Sequence, residues 1–240
     1  VVFSVKFETV VKEIIPRTPN VASFRFPRPD GLQYEAGQFL FVTLRSNEKE
    51  LSKHFSFSSS PTEKEHVEFT KKFTDSEFSA ALKALKQGDW ARIDAPYGKF
   101  TYGNEPKIGL LAGGIGITPL RSICKYLTDR RLPTKVTLLY GCRTEVDIAF
   151  RKEFEEMQMQ NRNFKVLLIL NDPSPTWKGA VGVITADMVK REIPDYADTM
   201  FYTCGPPVMV EVMEKLVESL GLPKTQLKRE YFAGYTPDHS

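Results

Sequence analysis

The hydrophobic periodicity of this chain changes once, between about Asp94 and Lys107, and that change confines it to a fold of two unlike halves. Before it, apolar and polar residues alternate in short runs at 5–10, 21–26, 39–44, 55–59, 67–73 and 90–93. A period of two marks half-buried strands. Asp30-Gly31, Gly37 and Gly88-Asp89 supply turns between them, and one helical stretch, 78–86, interrupts the series. So many short strands predict an all-β antiparallel barrel. After Lys107, strand-like runs at 108–112, 136–141, 166–170 and 200–204 alternate with helical stretches at 120–130, 150–160, 186–191 and 208–220. This is the order of an α/β domain with a parallel sheet, which binds nucleotides at the carboxyl ends of its strands. The segments 95–99 and 103–106 form the joint, giving domains at 1–104 and 105–240.

Within the second half, Gly113-Gly114-Ile115-Gly116-Ile117-Thr118-Pro119 carries an apolar strand into a helix. Glycines let a ligand approach the backbone, and the free N–H groups at a helix start attract anions, so the turn reads as a phosphate cradle. Thr118 is placed to cap the helix and Pro119 to sit in its first turn. Pro119 stands where G-x-G-x-x-G requires its third glycine, so the usual dinucleotide fingerprint does not apply unchanged.

Composition removes several classes of function. The 33 Lys and Arg residues against 30 Asp and Glu give a net charge of +3, too small for a nucleic-acid footprint and mildly favourable to an acidic protein partner. No apolar run reaches the ~18 residues of a membrane span, and the start lacks the layout of a signal peptide, so the expected location is cytoplasmic. Cys124, Cys142 and Cys204 are scattered through apolar segments and too few for an iron–sulfur cluster, so a one-electron carrier must be a separate molecule. No motif for hydrolysis surrounds His54, His66 or His239.

With these motifs in order, the chain resembles the ferredoxin–NADP reductase family over nearly its whole length. Lys53-His54-Phe55-Ser56 is similar to the family's flavin signature of arginine, any residue, tyrosine, then serine or threonine. The resemblance implies that Phe55 packs on the flavin, Ser56 bonds near its N5 and Lys53 meets phosphate. Phe55 lacks the phenol, and Lys53 lacks arginine's bidentate fork. Thr70, Lys71 and Lys72, with Ser76, Phe78 and Ser79 at a helix start, resemble the segment that holds the rest of the flavin. Gly113, Gly114, Gly116, Thr118 and Pro119 match the nicotinamide-dinucleotide loop, with Thr118 on the pyrophosphate. Cys204-Gly205-Pro206 resembles the turn that sets a thiol beside the nicotinamide, and Glu230 the closing acid that bonds Ser56 or the nicotinamide. Phe232 or Tyr235 is the implied flavin cover.

The resemblance implies an NAD(P)H-dependent flavoprotein with FAD rather than FMN, and with Ser56, Cys204 and Glu230 at the reacting centre. Electrons would pass to an acidic redox protein such as ferredoxin, flavodoxin or an oxygenase component. Arg143 and Arg151 are the candidate cations for a 2′-phosphate, which tilts the reading toward NADPH over NADH. Two other readings stay open: an electron-transfer subunit of a larger redox complex, and a nucleotide-binding module without turnover.

Overall fold

The computed structural model describes residues 4–232. Seven strands build the first half: β1 (Val5–Val10), β2 (Glu13–Thr18), β3 (Val21–Pro27), β4 (Phe39–Ser46), β5 (Lys49–Ser56), β6 (His66–Lys72) and β7 (Trp90–Tyr97), with helix α1 (Glu77–Ala84) between the last two. They form two antiparallel sheets, β1-β7-β4-β5 and β2-β3-β6, joined by a bridge between Phe57 and Phe69. Phe24, Phe26, Leu40, Val42, Phe57 and Phe69, all fully buried, fill the space between them. The barrel predicted from alternation is therefore a pair of sheets wrapped around one core. Strand β2 escapes that pattern because Pro16 and a register shift beside it break the alternation. Strand β5 runs from Lys49 to Ser56 rather than over 55–59, since its outer half is a charged edge strand.

The second half holds β8 (Lys107–Gly113), α2 (Ile117–Asp129), β9 (Lys135–Cys142), α3 (Arg151–Gln160), β10 (Phe164–Leu170), β11 (Ala180–Val181), α4 (Ala186–Glu192), β12 (Met200–Gly205), α5 (Pro207–Ser219) and β13 (Leu227–Tyr231). All six strands are parallel, in the order β11-β10-β9-β8-β12-β13. Ile108, Leu110 and Ala112 of β8 face the core shared with α2 and α3, while Leu111 faces the core shared with α4 and α5. Burial on both faces explains why these strands read as unbroken apolar runs.

The chain leaves β8 outward through β9 and β10, then returns to β12 on the other side of β8. That reversal is a topological switch point, and a crevice opens at the carboxyl ends of the two strands beside it. Gly113 ends β8 and Cys204-Gly205 ends β12, so the two glycine-bearing turns meet there. No helix among the described residues is long and apolar enough to cross a membrane.

Candidate active site

The turn after β8 packs directly on the end of β12. A Cβ on Gly116 would lie 2.1 Å from the backbone oxygen of Cys204, and the Cys204 thiol donates to the Gly116 carbonyl at 2.9 Å. Gly113 borders the side chain of Met209, and Gly114 takes a φ of +49° with open space around it. The helix begins at Ile117, one residue before the expected cap. Thr118 is buried in the first turn, and its hydroxyl donates to the Ile115 carbonyl at 3.2 Å, so it does not cap the helix. Pro119 occupies the first turn as expected.

Parallel pairing of β12 with β13 sets Cys204 directly opposite Glu230. On the facing barrel, Ser56 pairs with Phe39, whose ring packs on Gly98. A Cβ on Gly98, at φ +93°, would stand 3.7 Å from Glu230 Oε1. Ser56 hydrogen-bonds the Glu230 carboxyl, so Ser56, Glu230 and Cys204 meet at the crevice between the halves. Burial raises the Glu230 carboxyl to about 7, partly offset by the bond from Ser56. Burial, with Glu230 nearby, pushes the Cys204 thiol well above its usual range. Cys204 is thus a neutral S–H donor and not a thiolate nucleophile.

A second cluster fixes this geometry one pleat back. Lys228 pairs with Tyr202 across the same two strands, and its ammonium donates to Glu105 at 2.7 Å and to the Tyr202 hydroxyl at 3.0 Å. The Tyr202 hydroxyl donates to the same carboxylate at 2.9 Å. Glu105 belongs to the joint, so the joint is tied to the two strands that bear Cys204 and Glu230. Tyr202→Phe is expected to cost about 1–2 kcal/mol in a urea melt, because Glu105 loses one donor where burial makes the loss costly.

The flavin-side residues divide by face. The Phe55 ring stacks on Phe69 at 4.6 Å and tilts against Phe78 at 5.4 Å, half-buried on the barrel side of β5. Lys53 is exposed on the same face of that edge strand. His54 points the other way and packs on Phe39 and Phe41, 5.4 and 5.8 Å between ring centres. Its place is in an outer aromatic cluster rather than with Lys53 and Phe55. Burial, followed by the neighbouring Lys72 charge, lowers Lys71 to about 8, which a bound phosphate would reverse. Thr70 is turned inward instead of toward a flavin: its hydroxyl lies 2.6 Å from that of Ser23 and 2.8 Å from that of Ser58. The hydroxyls of Ser76 and Ser79 shape the entry to α1, Ser76 accepting from the Ser79 amide and Ser79 from the Thr74 amide. A flavin would therefore meet Lys53 and Phe55 on one face of β5, with Ser56 at the strand's end on the face that His54 shares and Lys71 and Lys72 at the end of β6. Phe232 donates its amide to the Gly205 carbonyl at 2.8 Å and packs on the core beside Cys204. Tyr235 lies outside the described residues.

Gly205 has a φ of +146°, where its missing Cβ matters, and Pro206 precedes the first turn of α5. At the far end of the crevice, Arg151 donates to Glu155 at 2.9 Å and lies over Trp177, while Arg143 is exposed. Sequence reasoning passed over Gly98, Glu105 and Arg121. The sign available for Arg121 was a charge on the helix face that carries Ile117, Leu120 and Cys124.

The sequence matches the family model of the oxidoreductase FAD-binding domain over residues 6–102 and that of the oxidoreductase NAD-binding domain over residues 110–215. It is 35% identical over 232 residues to NADH-cytochrome b5 reductase 1 of Aspergillus terreus, covering 90% of this chain and 78% of that protein. To the protein of the same name from Mortierella alpina it is 33% identical, covering 91% and 76%. Among solved structures, the cytochrome b5 reductase domain of Ulva prolifera nitrate reductase superposes with a TM-score of 0.83 at 24% identity, over 94% of this chain and 97% of that one. A ferredoxin NADP+ reductase from Neisseria gonorrhoeae with bound FAD and NADP gives 0.81 at 19%, over 94% and 98%. At those identities the structures bear on the fold alone.

Proposed function

Because the chain belongs to the ferredoxin–NADP reductase family of FAD- and NAD-binding oxidoreductases, we propose that it is an NADH-dependent flavoprotein reductase delivering electrons to a cytochrome b5-type haem protein. The convergence of Ser56, Glu230 and Cys204 at the crevice carries this reading. Bound FAD accepts two electrons as hydride and releases them singly. The chain's own residues do the rest. Cys204 and the Gly116 turn would back a bound nicotinamide, Ser56 would meet the flavin edge, and Glu230 holds or yields a proton at the Ser56 hydroxyl.

The relatives named for NADH and cytochrome b5 support this donor and acceptor over NADPH and over the ferredoxin or flavodoxin of the sequence expectation. Charge supports NADH as well. Arg151 is engaged by Glu155, and Glu145 and Asp172 put carboxylates on the two loops beside Arg143, a setting unfavourable to a 2′-phosphate. The test is an absorption spectrum under argon during titration with NADH or NADPH, followed by addition of ferric cytochrome b5. Bleaching by NADH well below the NADPH concentration needed, with prompt cytochrome reduction, is the expected result. A flavin that no nicotinamide bleaches overturns the reductase reading, and reoxidation by ferredoxin or flavodoxin alone overturns the acceptor.

A further inference from the structure

A second constellation of buried charge lies at the seam between the halves. Arg121, on α2, has a side chain only 3% exposed. It donates to the Ser58 carbonyl at 2.9 Å and to the Glu63 carboxylate, both on the segment leaving β5. Its other nitrogens donate to Glu153 of α3 at 2.9 and 2.6 Å. From the barrel side, Arg17 of β2 reaches the same Glu153 at 2.6 Å and Glu68 of β6 at 3.1 Å. Phe150, in the left-handed region at φ 61° before α3, sits between the two guanidinium groups, 4.5 Å from Arg17 and 5.7 Å from Arg121. Burial raises the carboxyls of Glu63 and Glu68, but the arginines outweigh it and hold both below the usual range. All the charges are therefore present together, and removing one leaves its partners buried and uncompensated.

The anchors stand close to cofactor residues. Ser58 is two residues beyond Ser56, Glu68 two before Thr70, Glu153 two beyond Arg151, and Arg121 three beyond Thr118. The helix bearing Arg121 begins at the Gly113-to-Gly116 turn, and one guanidinium joins it to the segment that follows Ser56. The bond from Ser122 Oγ to the Ser59 carbonyl, at 2.6 Å, fixes the helix's rotation on the same segment. Hydride transfer requires reacting atoms within ~3.5 Å, and a 1 Å misplacement costs on the order of 100-fold.

We propose that Arg121 is a positioning residue for hydride transfer, resting on the reductase reading above: it clamps the strand that presents Ser56 to the helix behind the dinucleotide turn. The clamp sets how far the donor ring stands from the flavin. It contributes little to the affinity for either cofactor, because its side chain is 3% exposed and its nitrogens are held by Ser58, Glu63 and Glu153.

Stopped-flow bleaching of the FAD-loaded protein by NADH, compared among parent, Arg121→Met and Arg121→Lys, tests the clamp. Arg121→Met is expected to keep its FAD and its donor Kd within about 3-fold while the limiting rate falls about 10- to 100-fold. The long-wavelength absorbance of nicotinamide stacked on flavin should weaken in step, and Arg121→Lys should recover part of both. A limiting rate and stacking band equal to the parent's, with only the melting temperature lowered, overturns the proposal. Should Arg121→Met fail to fold, Ser122→Ala carries the same readouts with an expected fall of about 3-fold, and parent-like values there overturn it. If the parent itself is not bleached by NADH, the reductase reading falls. Small-angle scattering of the apoprotein then decides the clamp: a larger radius of gyration in Arg121→Met sustains it, and equal radii overturn it.

Discussion

Gly116→Ala is expected to lose hydride transfer by about 100-fold, whereas Gly114→Ala, two residues away, should keep most of it. The reason is space rather than backbone freedom. Gly116 has a φ of −60°, which alanine adopts readily, but its Cβ would stand 2.1 Å from the Cys204 carbonyl oxygen and 3.1 Å from its carbon. Both are backbone atoms at the end of a central strand and cannot rotate aside. Relief requires the turn and β12 to separate by about 1 Å, an overpacking that costs about 1–3 kcal/mol. The displacement falls on Cys204, whose thiol bonds the carbonyl of the same glycine. Gly114 is the opposite case: open space surrounds it, and only its φ of +49° penalises a side chain, by about 1–2 kcal/mol. Thermal melts and stopped-flow bleaching by NADH compare the two, and equal kinetic losses would sink the argument.

Those glycines are alike in the sequence and different in the fold, which marks where reading residues in order stops working. Periodicity located most strands because each half-buried run repeats a pattern that burial itself imposes. It misplaced β5 because charge on an edge strand hides the alternation, and it passed over β2 because Pro16 interrupts it. It also gave no sign that the polar face of β6 is buried. Glu68 and Thr70 alternate with Val67 and Phe69, yet both polar residues are buried, because Arg17 of β2 and Arg25 of β3 pair with Glu68 while Ser23 and Ser58 bond Thr70. No local pattern announces a partner more than fifty residues away. Ser56, Cys204 and Glu230 entered through family resemblance to separate motifs. Their meeting depends on the register of β12 against β13 and on the turn at Gly98, and neither is written in spacing.

The same meeting makes the pH dependence of hydride transfer the sharper test of Glu230. Its carboxyl titrates near 4.5 when unfolded and about 7 when folded, because burial disfavours the anion. The raised value means that the native state holds a proton the unfolded chain has released. Stability therefore falls as pH climbs from about 4.5 to about 7 and is level above, a loss of at most about 3 kcal/mol. Glu230→Gln carries no such charge and should be the more stable protein at pH 8, by about 1–3 kcal/mol, while the two converge below pH 4.5. Chemistry follows the same proton. An ionised carboxylate only accepts, so above pH 7 the Ser56 hydroxyl must donate to it. Once protonated, Glu230 can donate to Ser56 Oγ, and the hydroxyl hydrogen is freed to turn toward the flavin edge. The rate of flavin bleaching in the parent should thus fall about ten-fold between pH 6 and pH 8, following the fraction of protonated Glu230. Glutamine donates at every pH, so Glu230→Gln should give a flat profile near the parent's low-pH rate. A variant that keeps a break near pH 7 would assign the titration to another group and leave Glu230 a structural acid.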